Sequence, residues 1–302
     1  MSKLRAWIAL SRPPFHIVGI LPFLLGTLVA WRLEQVFSWQ VLAWGVLGVV
    51  LILLATYYAG EYWDVAEDAL SGQIGGSRFS GGSQVVQRGL LSRAVALWAS
   101  LLCLLLAGGV GLLLSQVYGT GMWTLPLGAM GAVGGFFYST GPVRWVKRGW
   151  GELWIAFCYG WLPVAVGCYL QTGLVPDVVH WVALPIGLSI FNVILLNEFP
   201  DHAADLASGK TNLAVRLGLE RSARLYALVS VGTWIAFLAS LTGGVPKVVL
   251  LPAAPVALLS CRVTGAVLAG RWRDRRALER LCAANLAINL GVTASYIPAF
   301  VR

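Results

Sequence analysis

Apolar residues run along this chain in long blocks separated by short polar connections. Blocks long enough to cross ~30 Å of hydrocarbon lie near 15–31, 37–60, 94–115, 119–138, 152–171, 178–199, 223–242, 247–269 and 281–300. This pattern predicts an all-α polytopic membrane protein with nine transmembrane helices, in a single domain over residues 1–302. The weakest blocks are the eighth, which carries Arg262 and two prolines, and the ninth, interrupted by Pro298. Pro and Gly are tolerated in such segments because neighbouring helices satisfy the freed backbone groups.

Composition strengthens this reading. Of 302 residues, 58% are hydrophobic and 12% charged, against about 25% charged in a soluble domain. So few charges cannot clothe a water-facing surface of this size, so the outer surface is expected to face lipid. No secretory signal peptide is expected, because the run behind the basic start is long and has no small-residue cleavage site. The five cysteines show no CxxC spacing and read as small buried residues. His16, His180 and His202 are far apart, which gives zinc or haem little support.

The charge distribution orients the bundle. With the N-terminus cytoplasmic, nine crossings place eighteen Lys and Arg on the cytoplasmic side and only Arg32, Lys247 and Arg302 opposite. The net charge of +9 is therefore a topology signal plus attraction to anionic headgroups, and no nucleic-acid partner is expected. A plasma-membrane location with the functional site facing the cytoplasm follows. On that side, residues 71–82 form a glycine-rich connection suited either to closing over a ligand or to a plain surface loop.

The ends of the second and sixth blocks carry the chemistry. They read Gly60-Glu61-Tyr62-Trp63-Asp64-Val65-Ala66-Glu67-Asp68 and Asn197-Glu198-Phe199-Pro200-Asp201-His202-Ala203-Ala204-Asp205. Each is Glu-aromatic-x-Asp-x-x-x-Asp, and four intervening spans put both on one membrane face. On a continuous helix, positions i, i+3 and i+7 fall within about 60° of one another. Glu61, Asp64 and Asp68 then form one stripe, and Glu198, Asp201 and Asp205 another. Glu67 points away and reads as solvated, while Pro200 is placed to break the sixth helix. Helix caps are the plain alternative, but carboxylates at a helix C-terminus oppose its dipole and repel each other. An all-oxygen set favours Mg²⁺, and two facing stripes suit a diphosphate held by two ions.

These motifs resemble those of the intramembrane aromatic prenyltransferases, the UbiA family. Glu61, Asp64 and Asp68 match its first acidic motif; Asn197, Asp201 and Asp205 match its second, with Glu198 in the preceding acidic place. Further likeness lies in Arg12-Pro13, in Phe137-Tyr138-Ser139-Thr140-Gly141-Pro142, in Gly149-Trp150-Gly151-Glu152 and in the segment from Gly209 to Gly218. The last three are similar to the branch that prenylates 1,4-dihydroxy-2-naphthoate for menaquinone. One departure stands out: Gly60 occupies the place of the family's first asparagine, and Glu61 that of the following aspartate.

The resemblance implies a bundle around a central cavity and transfer of a polyprenyl group from its diphosphate to a small aromatic acceptor. It also implies Mg²⁺ ligands at Asp64, Asp68, Asp201 and Asp205, with Glu61, Asn197 and Glu198 next. Lys210, Arg78, Arg144 and Lys147 are candidates for the diphosphate, although positive-inside bias alone would place cations there. An allylic cation needs an apolar, aromatic pocket, for which Tyr62, Trp63, Tyr138 and Phe199 are candidates. Asn192 is a candidate for fixing the acceptor and His202 for acid–base work. Other acceptors (4-hydroxybenzoate, homogentisate, a porphyrin-derived ring, a glycerol-phosphate lipid) stay open, as does an ion-coupled transporter. Against a transporter, both clusters lie at one surface rather than at mid-membrane.

Overall fold

The computed structural model describes residues 3–74 and 77–301. Gly75 and Gly76 of the glycine-rich connection, and Arg302 of the charge count, lie outside the described residues.

All described secondary structure is helical. A short α1 (Lys3–Leu10) leads through a tight turn at Pro13–Phe15 into α2 (His16–Glu34) and α3 (Trp39–Trp63). The chain continues through α4 (Val65–Ile74), α5 (Arg93–Leu112), α6 (Thr124–Ser139), α7 (Gly151–Ala156) and α8 (Leu162–Thr172). The second half holds α9 (Asp177–Asn197), α10 (His202–Ala207), α11 (Leu213–Leu217), α12 (Leu219–Ser240), α13 (Leu250–Leu268), α14 (Arg275–Ser295) and α15 (Ile297–Val301). Side-chain caps start several of these where their sequence supplies them. Ser38, Ser92, Asn212 and Asp274 each accept the backbone N–H three residues on.

Among the described residues, eight helical stretches are long and apolar enough to cross a membrane. The expected fourth span, α6, has only 16 residues, ~24 Å of helix. It still runs from one end of the bundle to the other. The backbone N–H of Trp123, just before it, donates to the Tyr169 hydroxyl near the end of α8, while Ser139 at its other end donates to Asp64.

Close helix approach depends on small residues rather than on hydrophobic contrast, which lipid does not provide. Between α2 and α8 a Cβ on Gly26 would overlap the Val164 carbonyl, and one on Gly167 the Phe23 carbonyl. Polar side chains join α9, α12 and α14. Asn192 donates to the Tyr226 carbonyl, the Tyr226 hydroxyl donates to Asn285, and Asn285 donates to the Asn192 carbonyl. Asn192 is therefore a buried interhelical clamp and is not among the residues around the cavity described below.

One expectation about a single residue is corrected. Cys261 is exposed on α13, unlike the buried Cys103, Cys168 and Cys282. Arg262 is also exposed there, on the bundle's outer surface.

Candidate functional site

Neither acidic motif lies on a continuous helix. In the first, α3 ends at Trp63, Asp64 occupies the break, and α4 begins at Val65. In the second, α9 ends at Asn197, residues 198–201 form a turn, and α10 begins at His202. Pro200 accounts for the second break, since it has no N–H to continue the ladder. The breaks remove the electrostatic objection raised by the sequence. Glu67 and Asp68 sit in the first turn of α4, and Asp205 in the first turn of α10, where the dipole favours negative charge.

The two motifs meet across a cavity of about 230 Å³. Glu61, Asp64, Asp68, Asn197, Glu198, Asp201, Asp205 and Lys210 all line it, together with Tyr138. Direct bonds tie its walls together. Ser71 of α4 donates to Asp201, and Ser139 of α6 to Asp64. Arg144 reaches Asp64 at 2.9 Å and Glu67 at 3.4 Å, and Lys147 pairs with Glu67. Glu67 is thus a buried, doubly paired carboxylate rather than a solvated one, because the break turns it back towards the loop after α6.

Lys210 lies at the centre of the charge. Its Nζ is 3.2 Å from Asp205, whose other oxygen accepts Asn212 Nδ2 at 2.7 Å. Burial by itself would lower the lysine pKa, but Asp64, Asp205, Glu67 and Asp68 raise it above the ordinary value. The ammonium therefore stays charged. Two buried carboxyls carry the segment that presents it. Glu152 accepts the Leu213 N–H at 2.7 Å, and Glu198 accepts the Ala214 N–H at 3.2 Å.

Burial of the charged form pushes Asp64, Asp68 and Asp201 above the usual carboxylate range; Asp64 adds to this for Asp68, and Asp205 for Asp201. Glu198 is pushed well up by burial and by Glu152. Glu67 goes the other way: burial would raise it, but Lys147, Lys210 and Arg144 hold it below the ordinary range. Carboxyl groups that resist ionisation on their own are suited to sharing a cation. Glu61 and Asn197 each keep a buried oxygen without a hydrogen-bond partner. Among the described residues no three His, Cys, Asp or Glu side chains converge into a ready cage for an ion. Such a set fits Mg²⁺, which binds through one or two carboxylates plus water and substrate phosphate.

The glycine-rich connection closes one side. Its first residues finish α4, and Phe79 to Gly82 line the cavity. Gly81 and Gly82 have φ of +72° and +65°, and a Cβ on Gly82 would overlap the Asp68 carboxylate. Only glycine lets the backbone pass so close. Ser83 N–H then donates to Glu61 at 2.6 Å. Gly60 has room: a Cβ there would lie 3.7 Å from Ser139 Oγ and 3.8 Å from Asp64 Oδ2, ordinary contact distances.

Several expected site residues lie elsewhere. Arg78 is exposed and faces Glu279. Tyr62 lies beneath the Arg93 guanidinium, Trp63 packs edge-on against Tyr62, and neither lines the cavity. Phe199 packs edge-on against Trp272 in the core. His202 follows the turn and is also not among the lining residues. Tyr62 and Trp63 still belong to the last turn of α3, one and two residues past Glu61 and so on other faces of that helix, whereas Phe199 lies in the turn after α9.

Other residues take up the aromatic and cationic positions. Tyr57 and Tyr159 line the cavity with Tyr138; Tyr159 is brought there by a π-helical turn, Phe157–Trp161, between α7 and α8. Arg12, in a left-handed conformation at φ 48°, also faces the cavity, with its guanidinium 4.8 Å from the Phe15 ring centre. Only the Arg12-Pro13 pair pointed to it in the sequence.

Comparison with known proteins identifies the family. The family model described as the UbiA prenyltransferase family matches residues 19–287. A 1,4-dihydroxy-2-naphthoate octaprenyltransferase of Mycobacterium tuberculosis is 31% identical over 281 residues, covering 90% of this chain and 89% of that protein. The Escherichia coli protein of the same name is 25% identical over 78% of this chain and 76% of its own length. Among solved structures, a UbiA homologue from Aeropyrum pernix superposes with a TM-score of 0.71 at 17% identity, covering 94% of this chain and 97% of that one. Broken helices, facing acidic motifs and a family match over most of the length lead to one conclusion: this multi-pass membrane protein belongs to the UbiA prenyltransferase family and is a prenyl-transferring enzyme.

Proposed function

We propose that the protein catalyses Mg²⁺-dependent transfer of a polyprenyl group from its diphosphate to a small aromatic acceptor, 1,4-dihydroxy-2-naphthoate in the finer reading. The observation that carries the donor half is the pair of acidic motifs facing each other across one cavity around Lys210. Asp64, Asp68, Asp201 and Asp205 would hold the metal, with Glu61, Asn197 and Glu198 beside them. Bound Mg²⁺ would neutralise the diphosphate as the C1–O bond breaks. Lys210 donates to the leaving oxygens, and Arg12 faces them from α2's entry turn. Arg144 and Lys147 act one step back, by holding Asp64 and Glu67. Tyr57, Tyr138 and Tyr159 line the cavity and would stabilise the allylic cation and help exclude water from it.

A Mg²⁺ complex of this kind has a parallel in a UbiA homologue of Archaeoglobus fulgidus, solved bound to GPP and Mg²⁺. The naphthoate acceptor is supported by the activity named for the M. tuberculosis and E. coli relatives. A different acceptor is favoured by other likenesses, including a bacteriochlorophyll synthase chain of Cereibacter sphaeroides, 30% identical over 43% of this chain. In the finer topology the chain crosses nine times, with α6 as the fourth crossing, the N-terminus in the cytoplasm and the cavity opening on that side of the plasma membrane.

The test is turnover by purified protein in lipid vesicles, given labelled polyprenyl diphosphate, a panel of acceptors, and Mg²⁺ or chelator. Naphthoate is expected to be prenylated fastest and only with Mg²⁺. Preference for another acceptor would overturn the finer reading, and no diphosphate release with any acceptor would overturn the whole. Asp64→Asn and Asp201→Asn are each expected to reduce turnover at least ~100-fold, in line with loss of a charge-stabilising group; unchanged rates would remove both from the ligand set.

A further inference from the structure

An open groove of about 910 Å³ lies where the end of α4 and the 77–88 segment meet the start of α14. It shares no lining residue with the acidic cavity. Its volume falls in the range of small-molecule sites, about 300–1,000 Å³.

The charge in this groove is one-sided. Arg78 and Arg88 come from the connection after α4, and Arg275 and Arg276 from the first turn of α14. The one carboxylate among the lining residues, Glu279, is engaged by Arg78: it accepts the Arg78 backbone N–H at 3.3 Å and faces the Arg78 Nε at 3.6 Å. Among the described residues neither Arg88 nor Arg276 pairs with a carboxylate. Positive-inside bias accounts for arginines in short connections. It does not account for their convergence from two distant parts of the chain, because like charges that only had to sit at a surface would spread apart.

Amides complete the wall. Gln73, Gln84 and Gln87 line the groove, and both polar atoms of the Gln87 side chain are buried without a hydrogen-bond partner. Buried amides are ordinarily bonded, so Gln87 calls for a partner that the described residues do not supply. Guanidiniums interleaved with amide donors suit phosphate oxygens, which arginine takes in bidentate pairs. They do not suit a metal ion or an apolar chain. The segment that carries Arg78 and Arg88 is also a wall of the acidic cavity. Phe79 to Gly82 line that cavity, while Gln84, from the groove, donates to the Asp68 and Gly81 carbonyls.

We propose that this groove is a separate site for a phosphate-bearing anion, held between Arg88 of the connection and Arg276 of α14, and that its occupant ties the connection to α14. Free diphosphate and the headgroup of an anionic phospholipid offer the same chemistry. The site stands independently of the prenyl-transfer reading, since none of its residues belongs to the acidic cavity.

Hydrogen exchange of the full-length protein in vesicles tests this, with chelator present throughout so that no metal draws diphosphate to the carboxylates. In phosphatidylcholine vesicles, the amides of 78–88 are expected to exchange ~10-fold more slowly once inorganic diphosphate exceeds its Kd about tenfold. In vesicles that also contain phosphatidylglycerol, the same slowing without added diphosphate would assign the site to the headgroup. Either protection is expected to vanish in Arg88→Gln/Arg276→Gln, whose positions are exposed and outside the acidic cavity, and to persist in Lys210→Met. Protection by neither anion, or equal protection in the double arginine variant, would overturn the site. Loss of protection in Lys210→Met alone would also overturn it, by assigning the anion to the acidic cavity.

Discussion

Lys210 is the residue on which most of the site's charge converges, and its chemistry is the most sharply testable. It faces Asp205 at 3.2 Å and lies in the field of three other carboxylates. Lys210→Met is expected to raise the KM for the diphosphate donor ~10- to 100-fold, the range of a charge-assisted hydrogen bond worth about 1.5–3 kcal/mol. Arg78→Ala should leave that KM unchanged, because its guanidinium faces Glu279 on the surface; steady-state kinetics of the two variants separates them. The raised carboxyls also set a pH dependence. Asp64, Asp68 and Asp201 sit above their ordinary range in the metal-free fold, so their protonated forms favour the folded state. That contribution is full below the unfolded value of about 4 and is lost as pH rises through the folded values. Glu67, held low, acts oppositely and only below the ordinary range. Metal-free protein is therefore expected to melt at a higher temperature at pH 5.5 than at pH 7.5, and Mg²⁺ to reduce that difference. A melting midpoint independent of pH and Mg²⁺ would refute the account.

At the scale of elements, the decisive feature is that both motif helices stop in the middle of their motifs. The sequence carried the identity and spacing of the acids, because paired carboxylates at the ends of apolar blocks need a cation wherever the chain takes them. It did not carry their projection. A periodicity argument assumes a continuous helix, and this assumption sent Glu67 outward; Tyr62, Trp63, Phe199 and His202 were candidates only because they adjoin the acids in sequence, which does not fix the direction of a side chain. Pro200 announced the second break, whereas nothing of that kind marks the break at Asp64. Asn192 failed for another reason: in a membrane bundle a buried amide serves equally well as an interhelical clamp. The tyrosines that do line the cavity sit inside apolar blocks, where one aromatic looks like another until the π-helical turn places Tyr159. The segment over the acids provides a prediction at this scale. Gly82→Ala would drive a methyl into the Asp68 carboxylate at a positive φ, and is expected to destabilise by about 1–3 kcal/mol and to weaken Mg²⁺ dependence. The midpoint of thermal unfolding and the Mg²⁺ half-saturation check the two parts.

For the molecule as a whole, the apolar blocks gave the bundle and its order of helices, since segments that must hide every backbone group from lipid leave few alternatives. Reporter domains fused to either terminus are expected to report opposite faces, N-terminus inside, if α6 is counted as a crossing; both on one face would remove that crossing. The shortness of α6 has a physical consequence of its own. Its 16 residues reach ~24 Å, against ~30 Å of hydrocarbon, while its last residue holds Asp64. If α6 is the fourth crossing, the bilayer is expected to thin beside it or the acidic end to sink to the depth of the headgroups. On that reading, the depth of the proposed site is coupled to lipid thickness. A donor anchored in the leaflet would then meet the carboxylates without leaving its own plane, and turnover should peak in vesicles of shorter acyl chains and decline as the chains lengthen.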